Sequence, residues 1–170
     1  GSPRTALVAG PARVLHKQLT PGALGRLTGA AQWRGAAARG VLFLESQPLM
    51  HLVRNGMVGA EALVRWQHPV HGRIPPLQFI PLAEESGSIK QIGAWVLEKA
   101  CRQAMAWDAE HPLGPPLGVA VNLSPRQLLD ENLVAMVRDT LAQVGINPSR
   151  VNLEVTESAL QGDTELMITK

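Results

Sequence analysis

Three short apolar stretches of the sequence each carry one oxygen-bearing side chain near their carboxyl end. The side chains are Glu61 in GAEALVRW, Asn122 in VAVNLS and Glu154 in VNLEVTES. Carboxylate and amide oxygens are the ligands that hard cations such as Mg²⁺ and Mn²⁺ prefer. In a parallel α/β barrel the carboxyl ends of the strands surround the active site, so these side chains would meet there as a metal site. The alternative is that each is a separately satisfied polar residue.

The strand predicted from residue 57 to 66 also places two opposite charges on one side. With a period of two residues, Glu61 and Arg65 share a face. The opposite face carries apolar residues, namely Ala60, Ala62, Val64 and Trp66. A core strand has no need of a carboxylate and a guanidinium on one side, so that face is a candidate for chemistry.

Turn signals and apolar periodicity divide the chain into alternating strands and helices. An opening hairpin is predicted from strands at 41–48 and 57–66, with Asn55-Gly56 in its turn and a loop at 68–72. Further strands are predicted at 117–123 and 151–156. Helices are predicted from just after Pro75-Pro76 to about residue 85, from about residue 89 to a break that begins at His111, and from about residue 125 to Gly145. A last helical stretch is predicted from Ser158. Short strands that alternate with helices favour parallel βαβ units and an α/β fold.

The composition is that of a globular chain. Of the 170 residues, 45% are hydrophobic and 18% are charged. No apolar run approaches the ~18 residues that span a bilayer. The single cysteine, Cys101, excludes an intramolecular disulfide and is interpreted as inert packing. Together these features predict a soluble protein in a reducing, cytoplasmic setting.

The charge of the sequence changes at about residue 40. Residues 1–39 contain six Lys or Arg and no acid, whereas residues 40–170 carry a net charge of −4. A basic segment of this kind can bind nucleic acid or anionic lipid, or act as a transit peptide. Its many Ala and Gly residues favour a leader or interdomain linker instead. The folded domain is therefore expected at 40–170.

Six ordered blocks of the sequence resemble the EAL domain, the bacterial family that hydrolyses the second messenger cyclic di-GMP. The blocks are SQP from residue 46, GAEALVRWQHP from 59, FIPLAEESG from 79, IGAWVLEKAC from 92, VNLSPRQ from 121 and LEVTES from 153. The family takes its name from the triplet found here at residues 61–63. The resemblance implies part of a TIM-type (β/α) barrel that opens with a β-hairpin.

The resemblance also implies roles for individual residues. The ligands of Mg²⁺ or Mn²⁺ would be Glu61, Asn122 and Glu154. Arg65 would contact a substrate phosphate, which suits its planar fork, and Gln47 would contact the bound nucleotide as well. Glu157 would hold an active-site loop in place without binding metal. These residues would serve a two-metal hydrolysis of cyclic di-GMP to linear pGpG.

Part of the family pattern is not found in this sequence. The Asp-Asp-Phe-Gly block, a later Lys and a further metal-binding Glu of the family do not occur before Lys170. We therefore expect residues 40–170 to be the N-terminal half of an EAL-type phosphodiesterase domain, truncated before barrel closure and inactive alone. The alternative is a catalytically inactive EAL-like module that binds cyclic di-GMP in signalling.

The expected partner is cyclic di-GMP, and the leader predicts an upstream sensory or cyclase domain in the parent protein. A sheet with an unpaired edge can also pair with a copy of itself, so a homodimer is a further alternative. Neither a nucleic-acid partner nor a membrane segment is expected. His68 and His71 form an H-x-x-H pair, which is interpreted as turn chemistry and not as a metal site.

Overall fold

A mixed sheet of five strands, with helices against one side, forms the framework of the protein. The computed structural model describes residues 41–51, 53, 56–69 and 71–155. The strands are β1 (Leu42–His51), β2 (Gly56–His68), β3 (Gly72–Ile74), β4 (Gly118–Leu123) and β5 (Val151–Val155). Their order is β1-β2-β4-β5, and β3 pairs with the carboxyl end of β2. β2, β4 and β5 are parallel, whereas β1 and β3 run antiparallel to β2.

The helices make the connections between the parallel strands. They are α1 (Pro76–Glu85), α2 (Ile89–Glu110), α3 (Pro125–Leu128) and α4 (Leu133–Val144), with a 3₁₀ turn at Pro148–Arg150. α1 begins with a proline in its first turn, where the missing N–H would have no partner within the helix. α4 ends at Gly145, whose φ of 78° lies in the left-handed region that glycine adopts freely. Within the described ranges, no helix combines the length and apolar character that crossing a membrane requires.

The predicted hairpin and the predicted parallel connections are confirmed, so the α/β class is correct. β1 and β2 pair along nearly their whole length, with a register irregularity between Leu49 and Met50. β2 pairs in parallel with β4 over residues 59–62, and β4 pairs in parallel with β5. Over the described residues, these strands form a sheet that does not close into a barrel.

Several predicted boundaries are wrong: β1 continues three residues past its predicted end at 48, and β2 two residues past its predicted end at 66. The single helix predicted at 125–144 is divided into α3 and α4: a capping box between Ser124 and Gln127 starts α3, and α3 ends after one turn at Leu128. The carboxylate of Asp130 then accepts a hydrogen bond from the backbone N–H of Asn132, which favours a turn over a helix. The loop predicted at 68–72 also ends one residue too late, because Gly72 already pairs with His68 as the first residue of β3. The helical stretch predicted from Ser158 and the strand end at Thr156 lie outside the described residues.

The helix side of the sheet holds the hydrophobic core. Trp66 of β2 meets Phe79 of α1 edge to face, with ring centroids 5.8 Å apart. The apolar stripe predicted along α2 is confirmed, with Trp107 partly buried and the other members buried, namely Ile92, Val96, Ala100 and Ala104. Because this layer removes apolar surface from water, it supplies the main stabilisation of the sheet.

β2 and β4 approach each other closely at a pair of glycines. Gly59 lies beside Gly118 in the parallel register. A Cβ atom built on Gly59 would lie 2.5 Å from the carbonyl oxygen of Gly118. Since a backbone carbonyl cannot turn aside as a side chain can, this register requires glycine at position 59. The same register determines where Glu61 lies relative to Asn122.

Arg150 attaches the start of β5 to α2 and β4. Its guanidinium donates to both carboxylate oxygens of Asp108, at 2.7 and 2.9 Å. It also donates to the carbonyl oxygen of Leu117, at 2.7 and 3.1 Å. Bidentate, charge-assisted bonds of this kind fix orientation as well as distance. They hold β5 in place beside β4.

Candidate functional site

The side of the sheet opposite the helices carries a set of polar side chains. We call this surface the polar face, and its members are Glu45, Gln47, Glu61, Arg65, Asn122 and Glu154. Gln47 lies directly across from Glu61 in the β1–β2 pair, and Asn122 lies beside Glu154 in the β4–β5 pair. Residues in register on neighbouring strands project to the same side of a sheet. The polar residues singled out from the sequence on β1, β2, β4 and β5 therefore share one surface.

Glu61 and Asn122 are in direct contact on the polar face. The Nδ2 atom of Asn122 donates a hydrogen bond to Oε1 of Glu61 at 2.6 Å. Glu154 is exposed one strand further along. Two carboxylates and one amide thus come from the middle of β2 and the ends of β4 and β5.

The donor chemistry of these three side chains fits a hard divalent cation. Glu61 and Glu154 offer carboxylate oxygens. Asn122 offers its Oδ1 atom when its side-chain amide turns over, so that all three residues present oxygen atoms. Mg²⁺ and Mn²⁺ prefer oxygen ligands. Across the residues that the structure describes, no group of three or more His, Cys, Asp or Glu side chains is close enough to hold a metal ion. The set of two carboxylates and one amide can therefore supply only part of a complete coordination shell.

Arg65 is held by Glu45, a residue that the sequence did not single out. The Nε atom of Arg65 donates to Oε2 of Glu45 at 2.8 Å, and its Nη1 atom donates to the carbonyl oxygen of Val64 at 3.0 Å. Arg73 of β3 donates to the other carboxylate oxygen of Glu45. The signal for Glu45 was present in the sequence, since it lies two residues before Gln47 and so shares its face.

The two arginines lower the pKa of the Glu45 carboxyl. The hydrogen bond from Arg73 is the largest influence and lowers the pKa of the Glu45 carboxyl, and the hydrogen bond from Arg65 acts in the same direction. Partial removal of the carboxylate from water opposes both. The polar face therefore carries an ion-pair cluster of Glu45 with Arg65 and Arg73, beside Glu61 and Glu154.

The end of β4, which positions Asn122, is fixed by the loop that follows it. Oε1 of Gln127 accepts a hydrogen bond from the backbone N–H of Ser124 at 3.1 Å, and Oγ of Ser124 accepts one from the N–H of Gln127 at 3.4 Å. The Gln127 side chain is only 3% exposed and packs on Gly93 of α2. A Cβ atom at position 93 would lie 1.9 Å from Nε2 of Gln127. A glycine on α2 thus makes room for the glutamine that caps α3.

A cavity lies between β2, the end of β4 and the helices α1 and α2. It has a volume of about 550 Å³ and is bounded on one side by Leu63, Arg65 and Asn122. On the other side it is bounded by α1, including Ile80 and Glu84. A cavity of this size suits a small-molecule ligand.

The remaining sequence candidates take other places. Gln47 is exposed on the polar face, and Glu157 lies outside the described residues. Cys101 is buried, and burial raises the pKa of its thiol to about 11, which fits its interpretation as inert packing. His71 donates its backbone N–H to Nδ1 of His68 at 3.2 Å, which fits the interpretation as turn chemistry.

Sequence comparison matches the chain to a domain family and to longer bacterial proteins. A family model described as EAL domain matches residues 30–168. An uncharacterized signaling protein of Caulobacter vibrioides is 47% identical over 134 residues, which is 79% of this chain and 16% of that protein. The bifunctional diguanylate cyclase/cyclic di-GMP phosphodiesterase MucR of Pseudomonas aeruginosa is 46% identical over 133 residues, 78% of this chain and 19% of MucR. The chain therefore spans less than a fifth of these two relatives.

Structural comparison agrees with the sequence. The structure described as PaMucR phosphodiesterase in complex with c-di-GMP matches with a TM-score of 0.72 and 44% sequence identity. The match covers 82% of this chain and 56% of that chain. EAL-domain neighbours imply a TIM-like fold for the open sheet seen here. Together, the matched blocks, the register of the polar face and these likenesses show that the chain belongs to the EAL domain family.

Proposed function

We propose that the polar face is part of a cyclic di-GMP site, and that the complete domain hydrolyses cyclic di-GMP to linear pGpG. The observation that carries the proposal is the direct contact of Glu61 with Asn122 on the surface that also presents Arg65 and Glu154. The likeness to a phosphodiesterase solved with c-di-GMP, at 44% identity, supports the ligand class.

Each polar residue would have a distinct task. Glu61, Asn122 and Glu154 would supply oxygen ligands, and Arg65 would direct its guanidinium N–H groups at a phosphate oxygen. Gln47, across from Glu61, would donate or accept a hydrogen bond at the edge of the nucleotide. A bound divalent cation polarises a phosphate oxygen and acidifies a water molecule. Glu157 would keep the loop after β5 in place, as the family resemblance implies.

A second candidate function is binding of cyclic di-GMP without turnover. The donor set on the described residues holds two carboxylates and one amide, which is small for a site that must activate water. Arg65 and Gln47 would nevertheless contact the nucleotide, because neither needs a metal to form hydrogen bonds. The two candidates differ in the product and not in the ligand.

Calorimetric titration of the 170-residue chain with cyclic di-GMP, in Mg²⁺ and in Mn²⁺, tests the shared part of both proposals. We expect saturable binding that Arg65→Ala weakens by about 10- to 100-fold, because a charge-assisted contact to phosphate is lost. Arg102→Ala is the matched control, since it removes the same charge from an exposed side chain of α2 that pairs with Glu98.

Chromatography of cyclic di-GMP incubated with the complete domain of the parent protein separates the two candidates. Linear pGpG that forms with the complete domain and not with its Glu61→Gln variant supports the phosphodiesterase, and binding by the complete domain without product supports the binding module. Both proposals fail if the chain does not bind cyclic di-GMP, or if Arg65→Ala binds it as tightly as wild type.

A further inference from the structure

We propose that Glu45 competes with the ligand phosphate for Arg65, and that Arg73 retains Glu45 when the phosphate binds. This inference rests on the proposed function, because it concerns the same nucleotide site. It assigns to Glu45 and Arg73 a part in setting ligand affinity.

The competition follows from how Arg65 is occupied. Its Nε atom is bonded to Glu45 at 2.8 Å, and Nη1 is bonded to a backbone carbonyl oxygen at 3.0 Å. A carboxylate and a phosphate oxygen bind the same planar donor edge of a guanidinium. A phosphate that uses the Nε edge of Arg65 must therefore displace the Glu45 carboxylate.

The Glu45–Arg65 ion pair is exposed enough for a phosphate to replace the Glu45 carboxylate. The side chain of Arg65 is 17% exposed and that of Glu45 is 40% exposed. The carboxylate therefore lies at the rim of the site, where solvent weakens the ion pair and the side chain has room to rotate. A fully buried pair would not open at comparable cost.

Arg73 gives Glu45 a second partner. Arg73 Nη2 already bonds to Oε1 of Glu45, while Arg65 uses Oε2. The guanidinium of Arg73 also lies over the Phe43 ring, 5.9 Å from its centroid, which holds it near β1. When Arg65 turns to a phosphate, Glu45 keeps one guanidinium, so its charge is not left unpaired.

Calorimetric titration with cyclic di-GMP, in a two-by-two set of variants, tests the proposal. We expect Glu45→Gln to tighten binding by about three- to tenfold, because the competitor loses its charge. We expect Arg73→Gln to weaken binding by about two- to fivefold, because Glu45 then stays on Arg65. In the double variant Arg73→Gln should have no further effect, since Glu45 no longer competes.

The controls separate this exchange from other effects. Glu98→Gln removes the same charge from an exposed ion pair on α2, so it reports any general effect of net charge. If Arg73 contacts the ligand itself, Arg73→Gln weakens binding equally in both backgrounds, which overturns its assigned role. If Glu45→Gln binds as wild type or more weakly, Glu45 does not compete and the inference is overturned.

A ligand-free measurement distinguishes failure of this inference from failure of the proposed function. Absence of cyclic di-GMP binding in wild type and in every variant overturns the proposed function. In that case the Glu45–Arg65 pair is judged from hydrogen exchange of the Arg65 Nε–H group, measured by NMR. Faster exchange in Glu45→Gln than in wild type and Glu98→Gln supports the pair, and equal exchange in all three overturns it.

Discussion

The two sides of the sheet differ in what a substitution would remove. On the helix side, Trp66 and Val121 are almost completely buried. On the polar face, Asn122 and Glu154 are open to solvent. On β4 the buried Val121 and the exposed Asn122 are adjacent, because successive side chains of a strand point to opposite sides. Stability and ligand chemistry are therefore carried by neighbouring residues of one backbone, and substitutions can test them separately.

The largest effect is expected on the helix side at Phe79. Its side chain is fully buried against Trp66. Phe79→Ala should lower the free energy of unfolding by about 3–5 kcal/mol, since it removes a buried ring and leaves a cavity. Leu77→Ala on the same helix is the control: Leu77 is 92% exposed, and we expect a change within about 0.5 kcal/mol. Urea unfolding followed by circular dichroism measures both, and similar losses would contradict the assigned faces of α1.

Cys101 reports whether the helix side is closed to reagents. Burial raises the pKa of its thiol to about 11, so the reactive thiolate is scarce at pH 8. Reaction with a disulfide reagent should be at least ~100-fold slower in the folded chain than in urea, because the thiolate is the nucleophile. The control is Leu77→Cys in a Cys101→Ser background, which should react quickly when folded. Fast reaction of native Cys101 would show that this layer opens readily.

Substitution of Gly59, which lies beside Gly118, tests the β2–β4 register that aligns the side chains of the polar face. Gly59→Ala should destabilise the protein by about 1–3 kcal/mol, because the added methyl group meets a backbone carbonyl that cannot turn aside. Gly114→Ala is the matched control, since the nearest atom to its Cβ would lie at an ordinary 3.5 Å. Thermal unfolding of the two variants measures the difference, and equal stability would show that β2 and β4 can separate without loss.

The smallest change in stability is expected on the polar face. Glu154→Gln should alter the free energy of unfolding by no more than about 0.5 kcal/mol, because the side chain is exposed. It should nevertheless reduce the dependence of cyclic di-GMP binding on Mg²⁺, since one ligand charge is lost. Urea unfolding measures this change. A stability loss above about 1 kcal/mol would show that Glu154 stabilises the fold, which would contradict the assignment of stability to the helix side alone.

The elements that the sequence predicted correctly are those with short-range signals. The double proline at Pro75-Pro76 marks the start of α1, and the apolar stripe of α2 has a regular period. Glu61 and Arg65 could be assigned to a common face for the same reason, since a period of two within one strand needs only local sequence. These signals do not depend on distant parts of the chain.

The features that were missed depend on residues far apart in sequence. The break between α3 and α4 is stabilised by Asp130, whose carboxylate bonds to Lys90 of α2 at 3.0 Å. The backbone N–H of Asn132 and the ammonium group of Lys90 together lower the pKa of Asp130. The Glu45–Arg65 contact likewise needs the β1–β2 register, and its second arginine comes from β3, a strand of three residues that periodicity does not reveal.

The contact of Gly93 with Gln127 has a consequence for sequence variation. Because a methyl group at position 93 would overlap the Gln127 amide, the two positions share one volume. A larger residue at 93 therefore requires the Gln127 side chain to move or to be replaced by a smaller one, and either change disturbs the capping box that follows Asn122. Substitutions at the two positions are thus coupled to the end of β4. Positions 93 and 127 should covary among relatives that keep an asparagine at the end of β4.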